Sequence, residues 1–254
     1  MRVIPFLLIT ALLGCGACTD GDDPAPKPSP EPAPSDQTAP ASPTATDVSA
    51  CPNQDDAIAG AGDRPSLTGD VDGDGADDVV TIALDEAGPR GCTAFLIVAT
   101  GFRNSSVPID QEGMSTEVGF PALVRLAEID GQAGLDVIVN LVAGASTQFA
   151  GVFTGGGEPE RLRFEQPTEF GDLFPTGSSV GHLEASDCIG PGAIVISEAV
   201  PKGAQYQVTR TAYVVVDGKL APQEEGVTTE RLPLDRLDRF PEFRASPFGS
   251  CPTE

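Results

Sequence analysis

The chain has 254 residues and a formal net charge of −23, from 38 Asp and Glu against 15 Lys and Arg. That balance argues against a surface that binds nucleic acid or an anionic membrane, since both need clustered positive charge. A single His excludes a histidine-rich metal centre, and the absence of Trp with only two Tyr leaves little from which to build a sugar-stacking platform.

The chain opens MRVIPFLLITALLGCGACTD, in which Arg2 precedes an apolar run from Val3 to Leu13. The run is shorter than the roughly 20 residues a spanning helix needs. It has the proportions of a signal-peptide core, placing the signal at residues 1–14. The segment LLGC, Leu12 to Cys15, resembles the lipobox of bacterial lipoproteins. The resemblance implies cleavage before Cys15, a diacylglycerol thioether on its sulfur, and a cell-membrane anchor on the extracytoplasmic face. Two alternatives are a second site at Cys18 and an ordinary secretory signal. Residues 19–50 are dominated by Pro, Ala, Ser and Thr and contain no Leu, Ile, Phe or Tyr. Such a stretch cannot bury enough apolar surface to offset its ordering entropy. Residues 15–50 therefore read as a lipid anchor and tether, with an extended reach of about 100 Å at most.

Residues 51–254 suffice for one domain with a core of its own. They hold four cysteines, Cys51, Cys92, Cys188 and Cys251. An even count in an exported domain reads as two disulfides, and four cysteines allow three pairings. The expected pairing is Cys51–Cys92 and Cys188–Cys251, because each bond ties a domain end onto a nearby repeat.

A repeat runs through this domain. GDVDGDGADDVVTIAL from Gly69 aligns with AEIDGQAGLDVIVNLV from Ala127, so that Asp72 matches Asp130 and Asp78 matches Asp136. A worn third copy begins at Gly181, with Glu184 in the place of Asp72. The period is roughly 55 residues, in the range of a repeated supersecondary unit. Each unit divides into four strand-like pieces separated by Gly-rich turns: residues 66–110, 120–168 and 178–225. The second piece of each unit is apolar on both faces, as in a buried strand. Leu234, Leu237 and Phe240 fall at helical spacing and predict one or two helical turns covering an edge. The expected fold is all-β, with three blade-like four-stranded repeats. These would form a small or incomplete propeller, or three sheets packed with pseudo-threefold symmetry.

The first copy of the repeat carries the sharpest chemical signal. In DVDGDGADD, Asp70, Asp72, Asp74 and Asp78 occupy positions 1, 3, 5 and 9 of a loop. The carbonyl of Ala76 falls at position 7, and Gly75 sits at the sharp turn. Oxygens at that spacing suit a hard cation, and Ca²⁺ takes six to eight of them at about 2.3–2.6 Å. Mg²⁺ tolerates a crowded all-protein cage poorly. Position 12 is Thr81 rather than the bidentate Glu of an EF-hand, and the flanks read as strands. The loop resembles the calcium loops of FG-GAP and VCBS-type β-repeats, which also occur in integrin α-chain propellers. The resemblance implies a structural Ca²⁺ that pins a strand–turn–strand corner. In the second copy, Glu128, Asp130, Gln132 and Asp136 stand in the corresponding places and form a weaker candidate site.

A catalytic reading finds less support. GSSVG, Gly177 to Gly181, matches G-x-S-x-G with Ser179 as the would-be nucleophile and His182 nearby. A nucleophile elbow needs a strand-to-helix turn, whereas this segment leads into a strand. The expectation is a non-enzymatic envelope module that binds a protein or ligand. The alternative is an envelope hydrolase acting through a bound metal.

Overall fold

Two open β-sheets carry the domain. The computed structural model describes residues 51–62, 64–156, 158–179, 181–244 and 246–253. The expected signal segment, Cys15 and the tether through residue 50 lie outside the described residues. Among those described, no helix is long and apolar enough to cross a membrane.

The first sheet is a four-stranded antiparallel meander: β1 (Ser66–Gly69), β2 (Asp78–Leu84), β3 (Ala94–Ala99) and β4 (Asn104–Pro108). It matches the first expected unit. β3 reads AFLIVA and is buried along almost its whole length, because both faces of the sheet are covered. Leu96 and Val98 face a cluster shared with the second sheet. Phe95 and Ile97 face a smaller cluster under the short helix α1 (Gln54–Ala59), which sequence periodicity did not announce. The Cys51–Cys92 disulfide fastens that helix to the sheet.

The second sheet has ten strands: β5 (Ala122–Ala127), β6 (Asp136–Ala143), β7 (Thr147–Thr154), β8 (Glu160–Arg161), β9 (Arg163–Phe164), β10 (Phe174–Ser179), β11 (His182–Gly190), β12 (Ala193–Lys202), β13 (Gln205–Val216) and β14 (Lys219–Leu232). Its order is β5-β6-β7-β10-β11-β12-β13-β14-β9, with β8 also paired to β7. The fold is all-β, as expected, but units two and three do not stand apart as blades. β10, with sequence FPTGSS, has neither alternation nor a β-branched run, and sequence reasoning passed over it. It pairs with β7 on one side and β11 on the other, merging the two units into one sheet. The fourth piece of unit two splits as well: β8 joins β7, and β9 runs parallel to β14. The third copy of the repeat is also misaligned. Glu184 lies within β11 opposite Glu198, and the turn that follows β11 is the tight one at Pro191–Gly192.

Strand alternation divides the core. Along β6 and β7, Val137, Val139, Leu141 and Phe153 face the cluster shared with the first sheet. Ile138, Ala150 and Val152 face a second cluster with Phe164, Phe174, Leu220 and Phe248. Full burial of a side chain of this kind contributes roughly 1.5–3 kcal/mol. The Cys188–Cys251 disulfide belongs to that second cluster and holds the C-terminal segment on it. The helical turns expected near the C-terminus are present as 3₁₀ turns over Leu234–Arg239 and Pro241–Phe243. There Leu237, Phe240 and Phe243 cover Ala199 and Val208.

Candidate metal centre

The loop between β1 and β2 holds the acidic stretch. Its two ends are set by the pairing Gly69↔Asp78, and the chain between them wraps around Asp70. Asp70 Oδ1 accepts the N–H groups of Gly73 (2.8 Å) and Asp74 (3.1 Å), and Oδ2 accepts that of Gly75 (2.9 Å). Gly75 takes φ +86°, a left-handed conformation that glycine adopts without a Cβ clash. Asp72 Oδ1 accepts the Asp74 N–H at 3.2 Å.

Asp78 opens β2 and is 1 % exposed. Its Oδ2 accepts the N–H groups of Val71 (2.9 Å) and Asp72 (3.1 Å). Its Oδ1 is buried and has no hydrogen-bond partner among the described residues. Asp70, Asp72 and Asp78 each bring a carboxylate oxygen to within 4.8 Å of the other two. Oxygens bound to one cation at about 2.3–2.6 Å are at most about 5 Å apart, so a single metal ion could reach all three, and the spacing does not select which ion. The Asp72 carboxyl is held above its usual range by desolvation in the loop and by the charges of Asp78, Asp74 and Asp70. A bound cation would relieve that repulsion.

Asp74 and Ala76, the other two expected ligands, are exposed. The Asp74 carboxylate is not part of the close group; its Oδ1 accepts the Ala76 N–H at 2.8 Å.

The second corner repeats the first. Ala127 pairs with Asp136 as Gly69 pairs with Asp78. Asp136 opens β6, is 0 % exposed, and accepts the N–H groups of Ile129 (2.7 Å) and Asp130 (2.9 Å) on Oδ2. The difference lies at Oδ1, which here accepts the N–H of Gly155 at 3.0 Å. Asp130 Oδ1 accepts the Gln132 N–H. Among the described residues, Glu128, Asp130 and Asp136 are not brought into a close group like the first. Burial, and next the charge of Asp130, push the Asp136 carboxyl up to about 7 despite its backbone donors.

The two corners are locked together. The Leu135 N–H donates to Asp70 O (2.8 Å) and the Gly156 N–H to Val71 O (3.0 Å). A Cβ on Gly134 or Gly155 would stand 2.3 or 2.4 Å from Val71 O, so only glycine admits this approach. Beside the junction, a cleft of about 640 Å³ is lined by Asp70, Asp77, Arg125, Glu128 and Gln132 among others. Of the three clustered carboxylates, only Asp70 reaches it.

Ser179 lies at the end of β10 and pairs with His182 across a hairpin, on strands rather than at a strand-to-helix elbow. His182 Nε2 is 3.1 Å from Glu198 Oε1 and 3.8 Å from Glu184 Oε1.

Comparison of the chain with protein-family models, with curated proteins and with solved structures finds no match. The likeness to FG-GAP and VCBS calcium loops therefore rests on the loop's own residues. What the acidic spacing could not announce is the part of Gly155, a residue far from the loop in sequence that supplies the second corner with its closing donor.

Proposed function

We propose that this chain is a lipid-anchored module of the cell envelope, a non-enzymatic β-repeat domain stabilised by one structural Ca²⁺ and built to bind a protein or ligand. The observation that carries the calcium reading is Asp78 Oδ1, a buried carboxylate oxygen without a partner inside a three-carboxylate group. Leaving such an oxygen unmet costs about 1–3 kcal/mol or more, because the group is charged. A cation held by Asp70, Asp72 and Asp78, with Asp74 and the Ala76 carbonyl within the same loop, satisfies it. An exported domain meets millimolar calcium, so a weak site suffices. The corner at Asp136 is already closed by Gly155, and it makes a poorer second site with Glu128, Asp130 and Gln132. The FG-GAP or VCBS kinship is supported by the shared corner register of the first two units. The anchor at Cys15 is supported by the lipobox-like LLGC.

Thermal melts of the purified protein in calcium and in EDTA test the metal. The wild type gains melting temperature in calcium, and Asp72→Ala does not. Equal wild-type melts in both buffers would remove the calcium reading. Membrane fractionation of Cys15→Ala tests the anchor separately, with the variant expected in the soluble fraction.

A further inference from the structure

The run ERLRF, residues 160–164, passes between β7 and β14. Strand alternation sends Leu162 and Phe164 into the second core cluster, where they are 0 % and 4 % exposed. Arg161 and Arg163 point to the other side. The Arg161 guanidinium lies against β7, with its carbon 5.6 Å from the Phe153 ring centroid, a cation–π contact. Its Nη1 donates to Gln111 Oε1 at 2.9 Å. Its Nε and Nη2 are buried and have no hydrogen-bond partner among the described residues. The strand makes room for this group at Gly151, where a Cβ would stand 3.3 Å from Nη2 and 2.7 Å from Leu141 Cδ1. Burial lowers the guanidinium pKa; the charge of Asp172 opposes that shift and that of Arg163 adds to it.

A buried cation with two unpaired nitrogens is costly, and a fold retains such a group where something completes it. Both arginines line a cavity of about 650 Å³ whose apolar wall includes Val107, Pro108, Phe153 and Pro159. Two acids also line it. Asp110 already accepts the N–H groups of Thr93 and Ala94 and the Thr93 hydroxyl, and Glu160 is exposed. Among the described residues, neither arginine forms an ion pair with a carboxylate. In a chain of net charge −23, two guanidiniums on one cavity run against the composition.

We propose that this cavity binds a small organic anion, a carboxylate or a phosphate ester with an apolar body, through Arg161 and Arg163. The planar guanidinium fork matches both head groups, and the Phe153, Val107 and proline wall takes the apolar part. The inference gives a ligand chemistry to the binding role proposed above and rests on that role only for its biological meaning. It does not depend on calcium.

The test is an NMR titration of the purified full chain at low ionic strength, in calcium and again in EDTA, with inorganic phosphate, acetate and benzoate as probes. At least one probe binds with a Kd of about 1 mM or tighter. Arg161→Gln and Arg163→Gln each weaken it about tenfold, the loss expected for one charge-assisted hydrogen bond. Arg236→Gln, on the exposed C-terminal turn, changes nothing. Benzoate tighter than acetate identifies the carboxylate class, and phosphate tighter than both identifies the phosphate class. If Arg161→Gln fails to fold, the exposed Arg163 still reports. No binding of any probe at about 10 mM, or binding unchanged in Arg163→Gln, overturns the proposal. Anion binding without any calcium response would leave this site standing and remove the structural-calcium reading instead.

Discussion

The corner at residues 70–78 and the corner at residues 130–136 share a register, a buried Asp at the head of the second strand, and two backbone donors to that Asp. They differ in what meets the remaining oxygen. At Asp136 it is the N–H of Gly155; at Asp78 it is nothing among the described residues. The acids around Asp78 are also the denser set, with Asp70 and Asp72 beside it. One backbone geometry is thus completed by the chain at Asp136 and left open at Asp78, where the proposed ion would complete it. A corner closed by an N–H does not depend on calcium, whereas a corner closed by an ion would follow the calcium concentration.

With no calcium present, the largest effect is expected from breaking the self-completed corner. Asp136→Ala strands the N–H groups of Ile129, Asp130 and Gly155, at roughly 1–3 kcal/mol each before water relieves some of the cost. Urea unfolding is expected to show a loss of about 4 kcal/mol, equal in calcium and in EDTA. The same residue gives the comparison a pH signature. The folded pKa of Asp136, about 7, lies above the ordinary value of 3.8, so folding favours the protonated form. Its contribution is complete below about pH 4 and is lost as pH rises through about 7. In EDTA, the stability of wild type relative to Asp136→Asn is therefore expected to fall across that window.

Asp78→Ala should behave differently. In EDTA it strands only two N–H groups, and about 2–3 kcal/mol is expected. In calcium the gap to wild type widens, because wild type gains about 2.7 kcal/mol when calcium stands at a hundred times its Kd. For a domain of this size that gain corresponds to roughly 5–10 °C in melting temperature. Gly155→Ala, which forces a methyl against Val71 O, tests the junction shared by both corners. A loss of about 2 kcal/mol in either buffer is expected by urea unfolding. The smallest effect is that of Asp74→Ala, an exposed residue capping one loop N–H. About 0.5 kcal/mol is expected in EDTA, with less than a tenfold loss of calcium affinity by titration.

The first sheet could be read from sequence almost strand by strand, because VVTIAL and AFLIVA are apolar runs bounded by turn residues; AFLIVA is buried on both faces, whereas VVTIAL leaves Val79 exposed. The merging of units two and three could not, since it depends on β10, whose Pro175 and Gly177 carry no strand propensity and which is held by its neighbours' backbones. The third unit is expected to end at residue 225, within the stretch Glu224, Glu225 and Gly226, whereas β14 runs on to Leu232. Those three residues sit at an irregularity, where the register with β13 shifts opposite Ala212, and the strand resumes at Val227. At the candidate site, the alternating Asp residues were legible by spacing alone. The closing role of Gly155 and the two Arg161 nitrogens left without a partner among the described residues were not, because each depends on residues brought together only by folding.

Calorimetric titration of calcium into the wild-type protein and into Asp78→Asn tests the difference between the two corners most directly. One ion bound by the wild type and none by Asp78→Asn is the predicted result. No binding by the wild type would make the acidic loop a solvated turn, and two ions would mean that Gly155 does not close the second corner.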